Sequence, residues 1–284
     1  MSTRPVSLPR RLYRITRLAL HFARGRRIVR TRFARLDPAD QDREIAAWSQ
    51  RLLSLLRIEV RVHGPAGDAL PSRCMVVANH LSWLDIFVIH AHRPGVFVAK
   101  EEIRDWPLLG ALVRDVGTLF ISRGSRTHAR RTNERIARTL AAGRTVAVFP
   151  EGSTTTGEAL ARFHAALLQP AIEAQAALVP LGLRYRTPVG EFARAALYVD
   201  DMSFMQSLWR IVSQERLVAE VHVAEPVPTQ NADRRKLARA TEAAIARALG
   251  LPLAHSRTET PADPPAARQS ADRPIRSPCP DPAD

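Results

Sequence analysis

Apolar side chains at Leu8, Leu12, Ile15, Ala19 and Phe22 recur at alternating spacings of three and four, which places them along one face of a helix. A second helix is predicted from Ala39 to Arg57, with Ile45, Trp48, Leu52 and Leu55 on one side. IEVRVH (58–63) alternates strictly and reads as a half-buried strand. Short apolar runs follow: CMVVA (74–78), VFVA (96–99), TLFI (118–121), TVAVF (145–149) and LVPLGL (178–183). Helical stretches separate them, one after Ser82, one over Trp106–Asp115, one over Ser125–Ala142 closed by Gly143, and one over 159–176 that Pro170 kinks or splits. The alternation predicts an α/β domain whose central sheet is largely parallel or mixed and flanked by helices. Strands near 195–199 and 217–223 and a helix over 231–249 complete it.

Composition divides this pattern into three regions. Residues 1–57 form a basic helical region expected to contact membrane, 58–250 the α/β domain, and 251–284 a tail. The last 29 residues, 256–284, hold seven prolines and hardly a large apolar side chain, so the tail is expected to be disordered. Charge is just as uneven. Residues 1–36 carry eleven arginines and no acid; subtracting those eleven from the net +14 leaves about +3 on the rest. A basic amphipathic helix suits an anionic membrane surface, where each Lys or Arg contributes roughly 1 kcal/mol. A helix packed on the domain and a nucleic-acid arm compete with that reading, but no nucleic-acid fold signature follows. No run of 18 apolar residues occurs and the N-terminus lacks a secretory apolar region, so a spanning helix or signal peptide is not expected. Cys74 and Cys279 are the only cysteines, which excludes a disulfide framework or a cysteine-based zinc site and makes a reducing compartment the default.

Ligands of open α/β sheets bind beyond the carboxyl ends of the parallel strands. Here those ends lead to Asn79–His80, Lys100, Ser122–Arg123 and Pro150–Glu151–Gly152. His80 and Asp85, five residues apart, would point about 140° apart on one continuous helix. They meet only if the chain turns between them, with Ser82 as helix cap and Asp85 in the first helical turn. Asp85 would then hold one ring nitrogen and leave the other as a general base. Spacing alone leaves a polar turn without catalytic role equally open. Other templates fail. There is no G-x-S-x-G, so no serine elbow gives His80 a nucleophile. GSTTTGEA (152–159) has Walker-like glycines, but Glu158 stands where the phosphate-binding lysine belongs. His90 and His92 lack an H-E-x-x-H partner, so no metal site is expected.

Four blocks in order nevertheless carry a resemblance. NHLSWLD (79–85), GTLFISR (117–123), FPEGS (149–153) and LVPLGLRY (178–185) resemble the motifs of the glycerolipid acyltransferases, which acylate lysophosphatidic acid and related lysolipids. VAKEEIRDWPLLG (98–110) looks like their linking segment, and the similarity spans roughly 48–225. The resemblance implies a glycerol-3-phosphate acyltransferase-like fold and transfer of an acyl group from acyl-CoA or acyl carrier protein to the free hydroxyl of 1-acyl-sn-glycerol 3-phosphate. It implies no cofactor beyond that thioester, no covalent acyl-enzyme and no nucleic-acid partner. His80 would be the base and Asp85 its orienter. Arg123 and Lys100 would bind the acceptor, with Glu151, Gly152, Ser153 and Thr154 shaping its site. The enzyme would work as a peripheral protein on the cytoplasmic face of the cell membrane.

The sequence departs from the family in two places. Many relatives have arginine where this chain has Thr154, and a phenylalanine–lysine pair where it has Phe163–His164. Both changes remove a charge suited to phosphate, since a hydroxyl holds a dianion less well than a guanidinium does. Arg123, Lys100, Arg126 and Arg162 are the available compensations. The Thr-rich version resembles members that acylate other lysolipids, including lyso-ornithine lipid.

Overall fold

The structure, a computed structural model, describes residues 6–65, 70–106, 109–121, 126–199 and 201–255. Seven strands form one sheet: β1 (Ile58–His63), β2 (Cys74–Ala78), β3 (Val96–Lys100), β4 (Leu119–Ile121), β5 (Val146–Val148), β6 (Ala177–Arg186) and β7 (Leu217–Val223). Their order is β1–β7–β6–β2–β5–β3–β4, and all neighbours are parallel except β6 and β7. The expected largely parallel, mixed sheet is therefore what forms.

Successive strand residues face opposite ways, and β2 shows how completely both faces are covered. Cys74, Val76 and Ala78 pack under α1 (Leu8–Thr31), α2 (Pro38–Leu55), α3 (Leu84–His92), α4 (Leu109–Asp115) and α7 (Phe204–Val212). Met75 and Val77 pack under α5 (Arg126–Ala141), α6 (Gln169–Glu173) and α8 (Arg234–Leu249). Leu18 and Phe22 of α1 are buried in the first of these cores, whereas Leu8 and Leu12 are exposed. The apolar stripe of the N-terminal helix thus passes from solvent into the protein interior. Among the described residues no helix is long and apolar enough to cross a membrane.

Of two expected elements, one forms only in part and the other does not form. Residues 159–164 are irregular, and helical structure begins only with a 3₁₀ turn at Ala165–Leu168 and α6. Tertiary partners take the amides that a helix needs: Leu160 donates to the Pro252 carbonyl, Ala161 to Glu151, Phe163 to Glu242 and His164 to the Pro150 carbonyl. Pro170, lacking an N–H, sits in the first turn of α6 instead of kinking a longer helix. The strand expected at 195–199 is a 3₁₀ turn, Arg194–Ala196, followed by irregular chain. There the Tyr198 amide donates to the Leu81 carbonyl, not to a strand. Of the tail expected over 251–284, residues 251–255 are held to the domain, with Leu251 and Leu253 packed on the core and the Ala254 amide donating to the Leu160 carbonyl, and residues 256–284 lie outside the described residues.

Candidate active site

β2 ends at Ala78, and the chain turns through Asn79–Trp83 before α3 starts at Leu84. Asn79 anchors the turn to β6: its amide nitrogen donates to the Leu183 carbonyl at 3.1 Å, and its oxygen accepts from the Leu183 amide at 2.7 Å. His80 and Asp85 meet across this turn, with Nδ1 2.8 Å from Oδ2. The same Oδ2 accepts the amides of Leu81 (2.7 Å) and Ser82 (2.9 Å). This corrects the expected cap: Ser82 Oγ only meets the Leu84 amide at 3.3 Å, and the Asp85 carboxylate organises the turn. A carboxylate only accepts, so Nδ1 carries the hydrogen, and in the neutral ring the lone pair is on Nε2. The Asp85 side chain is fully buried, while that of His80 keeps 18% of its surface exposed.

Tyr185 completes the arrangement and was not singled out from the sequence. Its hydroxyl donates to Asp85 Oδ1 at 2.6 Å from a buried position on β6. Burial, and then the adjacent Asp85 carboxylate, hold that phenol well above its ordinary range, so it remains a donor. The signal was available: Leu181, Leu183 and Tyr185 alternate along β6 and therefore share one face. Phe149, at the end of the TVAVF run, also belongs to the site. It stacks on the His80 ring with centroids 4.0 Å apart and planes 10° from parallel.

Glu151, one strand away beyond β5, turns its carboxylate to two backbone amides. One oxygen accepts the His80 amide at 2.7 Å and the other the Ala161 amide at 3.0 Å. Burial pushes its pKa up to about 7; the two amides oppose that shift, and the Asp85 and Glu242 charges add to it. Gly152, with φ +72°, makes the turn that follows, its amide reaching the Phe149 carbonyl at 3.1 Å. Thr155 then returns to the catalytic turn, its amide donating to the His80 carbonyl at 2.8 Å. Ser153 is exposed and Thr154 half-buried on the loop between them. Lys100 ends β3, two strands from β2, or roughly 10 Å at the usual strand spacing. Arg123 lies outside the described residues. Arg162 and His164 are exposed on the loop leading to α6.

The arrangement holds an imidazole by one nitrogen on a rigid turn, beside a stacked aromatic ring, with Nε2 making no hydrogen bond to the described residues. The two hydroxyls of the turn region bond backbone: Ser82 Oγ accepts from the Leu84 amide, and Thr155 Oγ1 donates to the His80 carbonyl at 3.3 Å. Among the described residues no group of three or more His, Cys, Asp or Glu side chains is placed to hold a metal ion.

A family model described as Acyltransferase matches residues 59–184. The chain is 42% identical over 203 residues to the lyso-ornithine lipid O-acyltransferase of Pseudomonas aeruginosa, covering 71% of this chain and 76% of that one. It is 37% identical over 224 residues to the 1-acyl-sn-glycerol-3-phosphate acyltransferase of Neisseria meningitidis, covering 78% and 86%. In fold it resembles the crystal structure of the 1-acyl-sn-glycerophosphate (LPA) acyltransferase of Thermotoga maritima, with a TM-score of 0.61 at 21% identity over 84% of this chain and 96% of that one.

Proposed function

This chain belongs to the acyltransferase family, and from that premise we propose that it transfers a fatty acyl group from acyl-CoA or acyl carrier protein to the free hydroxyl of 1-acyl-sn-glycerol 3-phosphate, giving phosphatidic acid. The observation that carries the mechanism is the hydrogen bond from His80 Nδ1 to Asp85. In the neutral ring it leaves the lone pair on Nε2, and that nitrogen takes the proton of the acceptor hydroxyl as its oxygen attacks the thioester carbonyl. The tetrahedral intermediate then collapses, the thiolate leaves, and the imidazolium returns its proton to sulfur. Asp85 stabilises the transient imidazolium, and Tyr185 and the Leu81 and Ser82 amides hold Asp85. Among the described residues no serine or threonine hydroxyl bonds to the His80 ring, which favours direct transfer over a covalent acyl-enzyme.

Lys100 and Arg123 are the cations we assign to the acceptor headgroup, with Gly152, Ser153 and Thr154 forming its loop. Glu151 acts on that site indirectly, by fixing His80 and the 151–161 loop. A second acceptor, lyso-ornithine lipid, is favoured by Thr154 and by the similarity to the Pseudomonas aeruginosa protein. The arginines of α1 would bring the enzyme to an anionic bilayer on its cytoplasmic face. Assay of the purified protein on lysophosphatidate and on lyso-ornithine lipid, each with acyl-CoA and with acyl carrier protein, tests the reading. Turnover of lysophosphatidate supports it; turnover of lyso-ornithine lipid alone replaces the acceptor; no turnover of either rejects it.

A further inference from the structure

Among the side chains whose exposure is described, every large hydrophobic one exposed on a helix lies on α1 or α7: Leu8, Leu12, Tyr13 and Leu20 on the first, Met205 and Trp209 on the second. Helices α5 and α8, on the opposite face of the sheet, present charge without any such side chain. The two apolar sets are joined. Arg14 Nη1 donates to the carbonyls of Val212 (2.9 Å) and Gln214 (2.5 Å), and Nη2 to that of Glu215 (3.3 Å). The Val6 amide reaches the Ser213 carbonyl at 3.2 Å, and the Arg11 guanidinium lies 5.2 Å from the centre of the Trp209 ring. Neither helix contains an acidic residue, and Arg10, Arg17 and Arg210 are exposed beside the apolar side chains.

The inner face of α7 leads to the chemistry. Ser207 Oγ, fully buried, accepts the Trp83 indole N–H at 3.0 Å, and Phe204 packs against the Trp83 ring with centroids 5.0 Å apart. Trp83 lies in the turn between His80 and Asp85.

We propose that α7 and the first half of α1 form one composite surface that enters an anionic bilayer through Met205, Trp209, Leu8, Leu12 and Tyr13, and that α7 thereby sets the catalytic turn at the lipid interface. The surface is thus not the N-terminal arm alone. Apolar side chains ringed by arginines, with an indole among them, match the boundary between acyl chains and anionic headgroups. The proposal rests on the lysolipid acyl-transfer reading for its purpose, and its test is independent of turnover.

The test is co-sedimentation of the full chain with phosphatidylcholine vesicles with and without phosphatidylglycerol. Met205→Ser/Trp209→Ser is expected to lower affinity for the anionic vesicles about tenfold, while Val189→Ser, altering an exposed apolar residue off this surface, leaves it unchanged. Arg10→Glu/Arg17→Glu, exposed positions with little risk to folding, is expected to abolish the preference for anionic over neutral vesicles. Turnover of a vesicle-embedded acceptor should fall with affinity in the serine double variant, and turnover of a short-chain, monomeric acceptor should not. Wild-type vesicle affinity in both double variants overturns the proposal, as does a change in oligomeric state without a change in vesicle binding, which would make this a protein interface. Vesicle binding that depends on these residues, in a wild-type chain that acylates neither lysolipid, would uphold the surface and sink the acyl-transfer reading.

Discussion

The Tyr185 hydroxyl lies 2.6 Å from Asp85 Oδ1, on the opposite side of the carboxylate from His80. A strand 100 residues along the chain therefore holds the carboxylate that holds the imidazole. Both groups are buried, so the bond forms where water cannot substitute for either partner.

Tyr185→Phe removes one donor and leaves a buried carboxylate oxygen unpaired, a loss of about 1–3 kcal/mol in stability. If the bond positions His80, kcat falls about 10- to 100-fold with KM nearly unchanged, as a small misplacement of a reacting group can produce. Steady-state kinetics with kcat and KM resolved separately check this. Loss of stability with wild-type kcat would reduce Tyr185 to a packing residue.

His80→Ala is expected to lower kcat by at least 100-fold, the lower end of what a positioned base contributes. Its side chain is partly exposed and bonded to Asp85 alone, so thermal unfolding should shift by only a few degrees. Turnover and melting measured on one preparation separate the two effects, and near-normal turnover would remove His80 from the mechanism.

Glu151 makes stability depend on pH in a direction opposite to that of a salt-bridged acid. Its pKa is about 7 in the folded protein against an ordinary 4.5, so the native state holds more protons between those values. Stability should therefore fall as pH rises through that window and level off above it, by about 3 kcal/mol at most. Glu151→Gln removes the titration at the cost of one backbone acceptor. Urea unfolding of both proteins from pH 4.5 to 8 reads the effect as a pH-dependent difference, and a constant difference would contradict it.

Thr154→Arg places a guanidinium on the loop after Gly152. If that loop faces the acceptor headgroup, kcat/KM for lysophosphatidate should rise about tenfold relative to lyso-ornithine lipid, since a charged bidentate donor replaces a neutral one. Competition between the two acceptors in one vesicle measures the ratio. An unchanged ratio would move acceptor choice elsewhere.

Much of the site was legible because it follows from local order. CMVVA announces a buried strand, and the spacing of His80 and Asp85 permits contact only across a turn; both hold in the structure. Glu151 was legible as a strand-end acid but not in its orientation, because its partners are backbone amides, which every residue except proline carries. The helix expected over 159–176 lost its first turns for the same reason: four amides there go to acceptors that no local pattern reveals.

The sequence by itself determined most of the alternation of strands and helices, the order of the four motif blocks, the basic N-terminus and the condition that His80 and Asp85 meet only across a turn, since each depends on neighbours in the chain. Only the tertiary structure decided that Tyr185 supports Asp85, that Glu151 faces inward, and that Arg14 joins α1 to the end of α7. Those contacts cross between elements distant in sequence. Sheet order and helix packing create them, and periodicity along a single segment carries no record of which partner will be opposite.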